Sequence, residues 1–146
     1  KFLMNTSDKF PKKFFIDRSD AKSNHSHLRR IINEEEVKKR LIKKGFSIIK
    51  LSDLSFKDQV SLFNNATEIV GLHGAGFANL TFCKPNTFIL ELKPATAGFM
   101  YSNLAKQLKL NYKDISINPS VHSNNNQQGL IEIPLNNLEK KLFNFL

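Results

Sequence analysis

Glu68-Ile69-Val70-Gly71-Leu72-His73-Gly74-Ala75-Gly76-Phe77-Ala78-Asn79-Leu80 is the stretch on which the reading of this chain turns. Its first five residues form a short apolar run, as a strand buried on both faces of a parallel sheet requires. Two glycines then break the pattern, and residues 77–82 resume as a short helix. Such a strand-to-helix turn leaves backbone N–H groups without intrahelical acceptors, and the helix dipole adds partial positive charge there. Gly74 and Gly76 carry no Cβ, so a ligand can approach the backbone closely and unusual dihedrals are open. His73 adds a side chain able to donate to an oxyanion. His73-Gly74-Ala75-Gly76 is therefore a candidate phosphate cradle, weighed against a plain tight turn built from two glycines.

The flanking sequence supplies the sheet. Residues 1–12 are polar and basic and read as a linker or arm, and residues 13–17 as a first strand. Residues 18–30 form a long polar loop, of the kind that is often functional in a compact domain. Asn33 is placed to cap a helix with Glu34, Glu35 and Glu36 in its first turn, an apolar stripe of Val37, Leu41 and Ile42, and Gly45 as its stop. Residues 46–51 read as a strand. Ser55 caps a second helix whose apolar side is Phe56, Val60, Leu62 and Phe63. Beyond the cradle come a strand at 87–92, a helix at 100–108, a strand at 112–117, a polar run at 119–128, an extended segment at 130–133 and a closing helix at 135–146. Alternating strands and helices with crossover-length connections predict an α/β domain over residues 13–146, a Rossmann-like parallel sheet with helices on both faces. In such sheets ligands bind beyond the carboxyl ends of the strands, where the strand order switches.

Length and composition set bounds. A chain of 146 residues is enough for one domain with one core. It opens on Lys1 rather than Met and so reads as a fragment of a longer protein. No apolar run reaches membrane-spanning length. Cys83 is the single cysteine, which excludes an internal disulfide and fits a reducing compartment. The expected location is cytoplasmic, either free or at the inner face of a membrane. Asn-x-Ser/Thr sequons begin at Asn5, Asn24, Asn65 and Asn79 and carry little weight in so Asn-rich a sequence. The net charge of +9 favours an anionic partner. His25, His27 and His122 show no metal-ligand spacing with a cysteine or acid.

Known nucleotide and hydrolase motifs narrow the choice further. The full Gly-x-Gly-x-x-Gly fingerprint is absent, as are a phosphate loop ending in Gly-Lys-Ser/Thr and a Gly-x-Ser-x-Gly nucleophile elbow. The stretch 68–80, followed by Phe82-Cys83-Lys84-Pro85-Asn86-Thr87 and Leu90-Glu91-Leu92, resembles the signature of glycosyltransferase family 61. Upstream, Ile16-Asp17-Arg18-Ser19-Asp20-Ala21-Lys22 and Arg29-Arg30-Ile31-Ile32-Asn33-Glu34 resemble that family's arginine-bearing segments, in the same order. Asp17-Arg18 stands where the family commonly has Ser-Arg or Thr-Arg.

The resemblance implies a nucleotide-sugar donor, a saccharide or glycan acceptor, and the C-terminal half of a two-domain enzyme of GT-B architecture whose N-terminal domain is missing here. In the bacterial branch it implies capsule or surface-polysaccharide synthesis. The expected donor-binding residues are Arg18, Arg29, Arg30, His73, Gly74, Ala75, Gly76, Asn79 and Glu91. Arg18 leaves the carboxyl end of the first strand on the same sheet edge as His73, where a guanidinium can hold a phosphate bidentately. Glu91, near the end of its strand, is expected to accept from ribose hydroxyls. Arginine and amides neutralise the phosphates, so neither metal nor cofactor is required, and no catalytic base is identified. The alternatives are a non-catalytic nucleotide-binding domain and a basic nucleic-acid-binding module. The second would want exposed aromatics among its basic residues, and the phenylalanines here fall mostly in apolar segments.

Overall fold

Five short strands pair into one parallel sheet in the computed structural model, which describes residues 9–18, 29–119 and 129–143. The strands are β1 (Lys13–Ile16), β3 (Ser47–Ile49), β4 (Glu68–Leu72), β5 (Phe88–Pro94) and β6 (Asn111–Ile117). Their order is β3-β1-β4-β5-β6, and every pairing is parallel. The chain moves from β1 outward to β3, then returns past β1 to β4 and continues in the opposite direction. The switch in strand order therefore lies between β1 and β4, the arrangement of a doubly wound, Rossmann-like sheet.

A further pair, β2 (Arg29–Ile31) and β7 (Gly129–Ile131), forms a separate parallel ribbon. The sequence reads the first of these as loop. Its partner lies some hundred residues downstream beyond a polar run, so no local pattern announces the pairing.

Alternation along each strand sorts the core into two layers. Phe15, Val70, Leu72, Leu90, Leu92 and Ile115 face α1 (Glu34–Lys43), α4 (Leu135–Phe143) and the β2–β7 ribbon, meeting Val37, Leu41, Leu138, Leu142 and Ile131. Phe14, Ile16, Ile69 and Ile89 face α2 (Phe56–Asn65), a 3₁₀ helix at Ala75–Phe82 and α3 (Met100–Gln107), meeting Leu62, Phe63, Phe77, Leu80, Tyr101 and Ala105. Residues 9–12 lie against this second layer: Phe10 packs on it, and the Lys12 carbonyl accepts from the N–H groups of Thr67 and Glu68.

The helix ends follow local chemistry with one exception. Ser55 Oγ accepts from the Asp58 N–H at 3.1 Å and caps α2 as expected. Gly45, at φ +90°, takes the left-handed conformation that ends α1. Asn33 occupies the N-cap position of α1 but makes no capping bond. Its amide instead grips the backbone of Ile133, donating from Nδ2 to the carbonyl at 2.8 Å and accepting from the N–H at 2.9 Å. That pairing ties the start of α1 to the chain leading into α4.

Candidate functional site

Parallel pairing puts the carboxyl ends of β1 and β4 side by side, and two residues leave the sheet there. Arg18 follows β1 and His73 follows β4. Arg18 Nη1 donates to the His73 carbonyl at 2.9 Å, across the switch point. The guanidinium lies over Gly74, where an added Cβ would fall on Nη1 inside van der Waals contact. Gly74 itself is extended, at φ 166° and ψ 177°, a conformation open to any residue. No unusual dihedral is used here: what the missing Cβ provides is room for the arginine. Gly76 is close-set as well, since a Cβ there would come within 3.2 Å of Leu51 Cδ1 and 3.4 Å of Ile16 Cγ2.

The helix that follows is 3₁₀ rather than α, begins at Ala75, and its Phe77 N–H is bonded to the Gly74 carbonyl. The amides preceding that first closed turn are those of Gly74, Ala75 and Gly76. The side chain of Ala75 lies outside the described residues.

His73 turns its ring inward, away from where a phosphate donor was expected. The residue is 1% exposed, and its Nδ1 lies 2.5 Å from Glu91 Oε2. Tyr112 O–H donates to the other carboxylate oxygen, Oε1. Both oxygens of Glu91 are thus engaged inside the protein, and the residue is itself 1% exposed. The strand runs on to Pro94, which leaves Glu91 within the ladder, paired in register with Gly71 and Asp114. The sequence ends this strand at Leu92 and places the carboxylate near that end, beside a nucleotide pocket. A carboxylate accepts only, so Nδ1 carries the proton of this bond. The ring is held from its other side by Tyr101, centroid to centroid 5.1 Å, and Tyr101 in turn lies 5.5 Å from Phe77. Gly71 makes room for Phe77, whose Cζ would lie 3.1 Å from a Cβ at that position.

The charges around this core are sorted into pairs. Asp17, beside Arg18, is buried and pairs with Lys38 of α1 at 3.2 Å. Burial pushes the nearby Glu34 carboxyl up, against the pull of Lys38. Burial, reinforced by the bond to Glu91, also drives the Tyr112 phenol well above its ordinary value. Lys93 is buried on the same strand face as Glu91. Its Nζ donates to the Gly98 carbonyl at 2.9 Å and lies 4.9 Å from the centre of the Phe99 ring.

Among the expected site residues, the structure brings together Arg18, His73 and Gly74, with Glu91 behind them. Asn79 Nδ2 donates to Gln59 Oε1 of α2 at 2.9 Å, so it braces the 3₁₀ helix against its neighbour. Arg30 is exposed on β2 and lies near Glu34 rather than His73, and the side chain of Arg29 lies outside the described residues. Tyr101, Tyr112, Lys93 and Phe99 were not anticipated as parts of the site. One signal for two buried partners was present: Glu91 and Lys93 alternate with Leu90 and Leu92 in an otherwise apolar strand, and charges so placed must be paired. Among the described residues no group of three His, Cys, Asp or Glu side chains converges as metal ligands. A cavity of about 680 Å³ lined by Lys44, Asn136, Glu139, Lys140 and Phe143 lies between the end of α1 and α4 and includes none of the switch-point residues.

Comparison with known proteins supplies the family. A family model described as Glycosyltransferase 61 matches residues 2–90, from the N-terminal arm through β4 and the glycine turn into β5. A beta-1,2-xylosyltransferase of Arabidopsis thaliana is 34% identical over 95 residues, which cover 53% of this chain and 18% of that protein. The chain thus corresponds to less than a fifth of that relative's length. With the family match extending over more than half of its residues, the chain belongs to glycosyltransferase family 61.

Proposed function

We propose that this domain holds the diphosphate of a nucleotide-sugar donor at the switch point of its sheet, within an enzyme that transfers the sugar to a saccharide or glycan acceptor. The observation that carries this reading is the Arg18 guanidinium laid across Gly74, beside the amides of Gly74, Ala75 and Gly76. Family membership and the xylosyltransferase relative support glycosyl transfer as the reaction class.

When the bond between the anomeric carbon and the donor's phosphate oxygen breaks, the electron pair stays on the departing diphosphate. Arg18 and the amides meet that growing charge in place, which is electrostatic stabilisation by groups already oriented. In this scheme they suffice to neutralise the phosphates and no metal ion is assigned. His73 fixes the turn from within: its ring is anchored on Glu91 and its carbonyl is presented to Arg18. Glu91 and Tyr112 are positioning residues that act through His73. Arg29 and Arg30 enter only as outer cations carried by β2.

The acceptor and the base that deprotonates it belong, in this reading, to the rest of a two-domain GT-B enzyme of which this is the C-terminal half. The identity of the glycan, whether capsule, surface polysaccharide or another, is set there. The chain by itself should bind donor weakly and turn over poorly. Titrating the ¹⁵N-labelled chain with UDP, GDP and their sugar conjugates tests the site: shifts should centre on Gly74 and Gly76. No perturbation there at millimolar ligand overturns the reading. A nucleic-acid module is disfavoured, because the exposed phenylalanines with described surroundings, Phe56, Phe99 and Phe143, sit on separate elements rather than along one basic face.

A further inference from the structure

Six large apolar residues are exposed among those described, and two of them are adjacent: Phe99 and Met100, 71% and 53% exposed. They stand where β5 hands over to α3, on the carboxyl edge of the sheet that also carries Arg18 and Gly74. The His73 N–H donates to the Leu92 carbonyl at 2.8 Å, so the next residue, Lys93, lies directly beside the cradle. Lys93 Nζ sits under the Phe99 ring, and Tyr101, two residues further on, packs against His73. Phe99 is thus tied to the glycine turn from two sides, through Lys93 beneath its ring and through Tyr101 against His73.

The ring is also fixed. A buried ammonium holds its inner side, and the same ammonium grips the Gly98 carbonyl just before it. The Phe99 carbonyl accepts from Asn103 N–H and Ser102 Oγ, both at 2.9 Å, which pins the backbone at the start of α3. Folding has left a large aromatic surface in water while restraining its motion. An aromatic held in this way loses little entropy when a flat partner settles on its open face.

We propose that Phe99 is the stacking platform for the nucleobase of the donor, with Met100 at its edge. This rests on the diphosphate reading of the Arg18–Gly74 site. Stacking reads a π-face, which every base has, so the platform contributes affinity for nucleosides generally rather than choosing between uracil and guanine.

Two probes separate this proposal from the reading beneath it: inorganic pyrophosphate, which has no base, and UDP. Affinities of the full chain are measured by calorimetry for the wild type and for Phe99→Leu, Phe99→Trp and Arg18→Ala. Phe99→Leu should weaken UDP binding on the order of tenfold, the scale of one lost stack, and leave pyrophosphate unchanged. Phe99→Trp should retain UDP, and Arg18→Ala should weaken both ligands. Transferred NOEs between the uracil and Phe99 ring protons should be present. UDP binding by Phe99→Leu equal to wild type, or an equal loss of pyrophosphate and UDP in that variant, overturns the platform and leaves the diphosphate site standing. Binding of neither probe by the wild type overturns both. Because Phe99 is mostly exposed, the two Phe99 substitutions leave the core untouched.

Discussion

Arg18 reaches across the gap between β1 and β4 to the carbonyl of His73, at 2.9 Å, and Gly74 has no side chain because the guanidinium occupies that space. Two segments more than fifty residues apart in sequence thereby form one feature.

Gly74→Ala should act through Arg18. The backbone at Gly74 accepts alanine without strain, and the atom in the way is the end of a flexible side chain. Stability should change by less than about 1 kcal/mol. Donor-nucleotide affinity should fall by about 1.5–3 kcal/mol, the scale of a hydrogen bond to a charged group and the loss expected of Arg18→Ala. The double variant should bind no worse than either single one. Additive losses in a calorimetric cycle would show that the methyl group and the arginine act separately.

The buried trio of His73, Glu91 and Tyr112 predicts a graded stability series. Glu91→Ala strands the His73 N–H and the Tyr112 O–H in the interior and should cost roughly 2–5 kcal/mol in denaturant unfolding. Glu91→Gln keeps the volume and one acceptor and should cost about 1–2 kcal/mol. Equal stability of all three proteins would mean that the trio is not formed in solution.

Alkaline pH provides a separate reading of Tyr112, whose phenol is held above its ordinary value of 10.0 first by burial and then by Glu91. Below pH 10 folded and unfolded chains both keep the proton and the contribution is intact. Above it only the unfolded chain releases the proton, so stability declines as pH rises. Tyr112→Phe should flatten the slope of unfolding free energy between about pH 10 and 11. An unchanged slope would assign the alkaline loss to other groups.

Asn33 separates capping from clamping. Its amide bonds Ile133 and not the first turn of α1. Asn33→Ala should cost about 1–3 kcal/mol and speed hydrogen exchange around Ile133 and α4 while α1 keeps its protection. Fraying confined to residues 34–37 would point to a capping role instead.

The parts of this fold that local pattern encodes could be read without coordinates. Short apolar runs and their spacing gave the five parallel strands, and the break at His73 gave the turn at the switch point, with Arg18 on the same edge. Relationships that depend on a distant partner could not be read. Glu91 looked available because nothing nearby shows that Tyr112, on the next strand, and His73 take up its oxygens. Asn33 has the residue type and position of an N-cap, and only the approach of Ile133 diverts it. The eight-residue helix after Gly74 is 3₁₀, a distinction that the apolar pattern of residues 77–82 does not carry.

The β2–β7 ribbon has a consequence for how the molecule closes. Arg29–Ile31 pairs with Gly129–Ile131, so almost the whole sheet lies in the loop that this contact seals. So long-range a pairing carries a loop-closure entropy cost that the packing around it must offset. The chain is fastened like a belt by its last strand, and the arginine-bearing β2 gains its place only when that buckle shuts. Removing residues after 119 would therefore leave Ile31, Val37 and Leu41 without their cover from Ile131, Leu138 and Leu142, and loosen a segment that lies near the other end of the sequence.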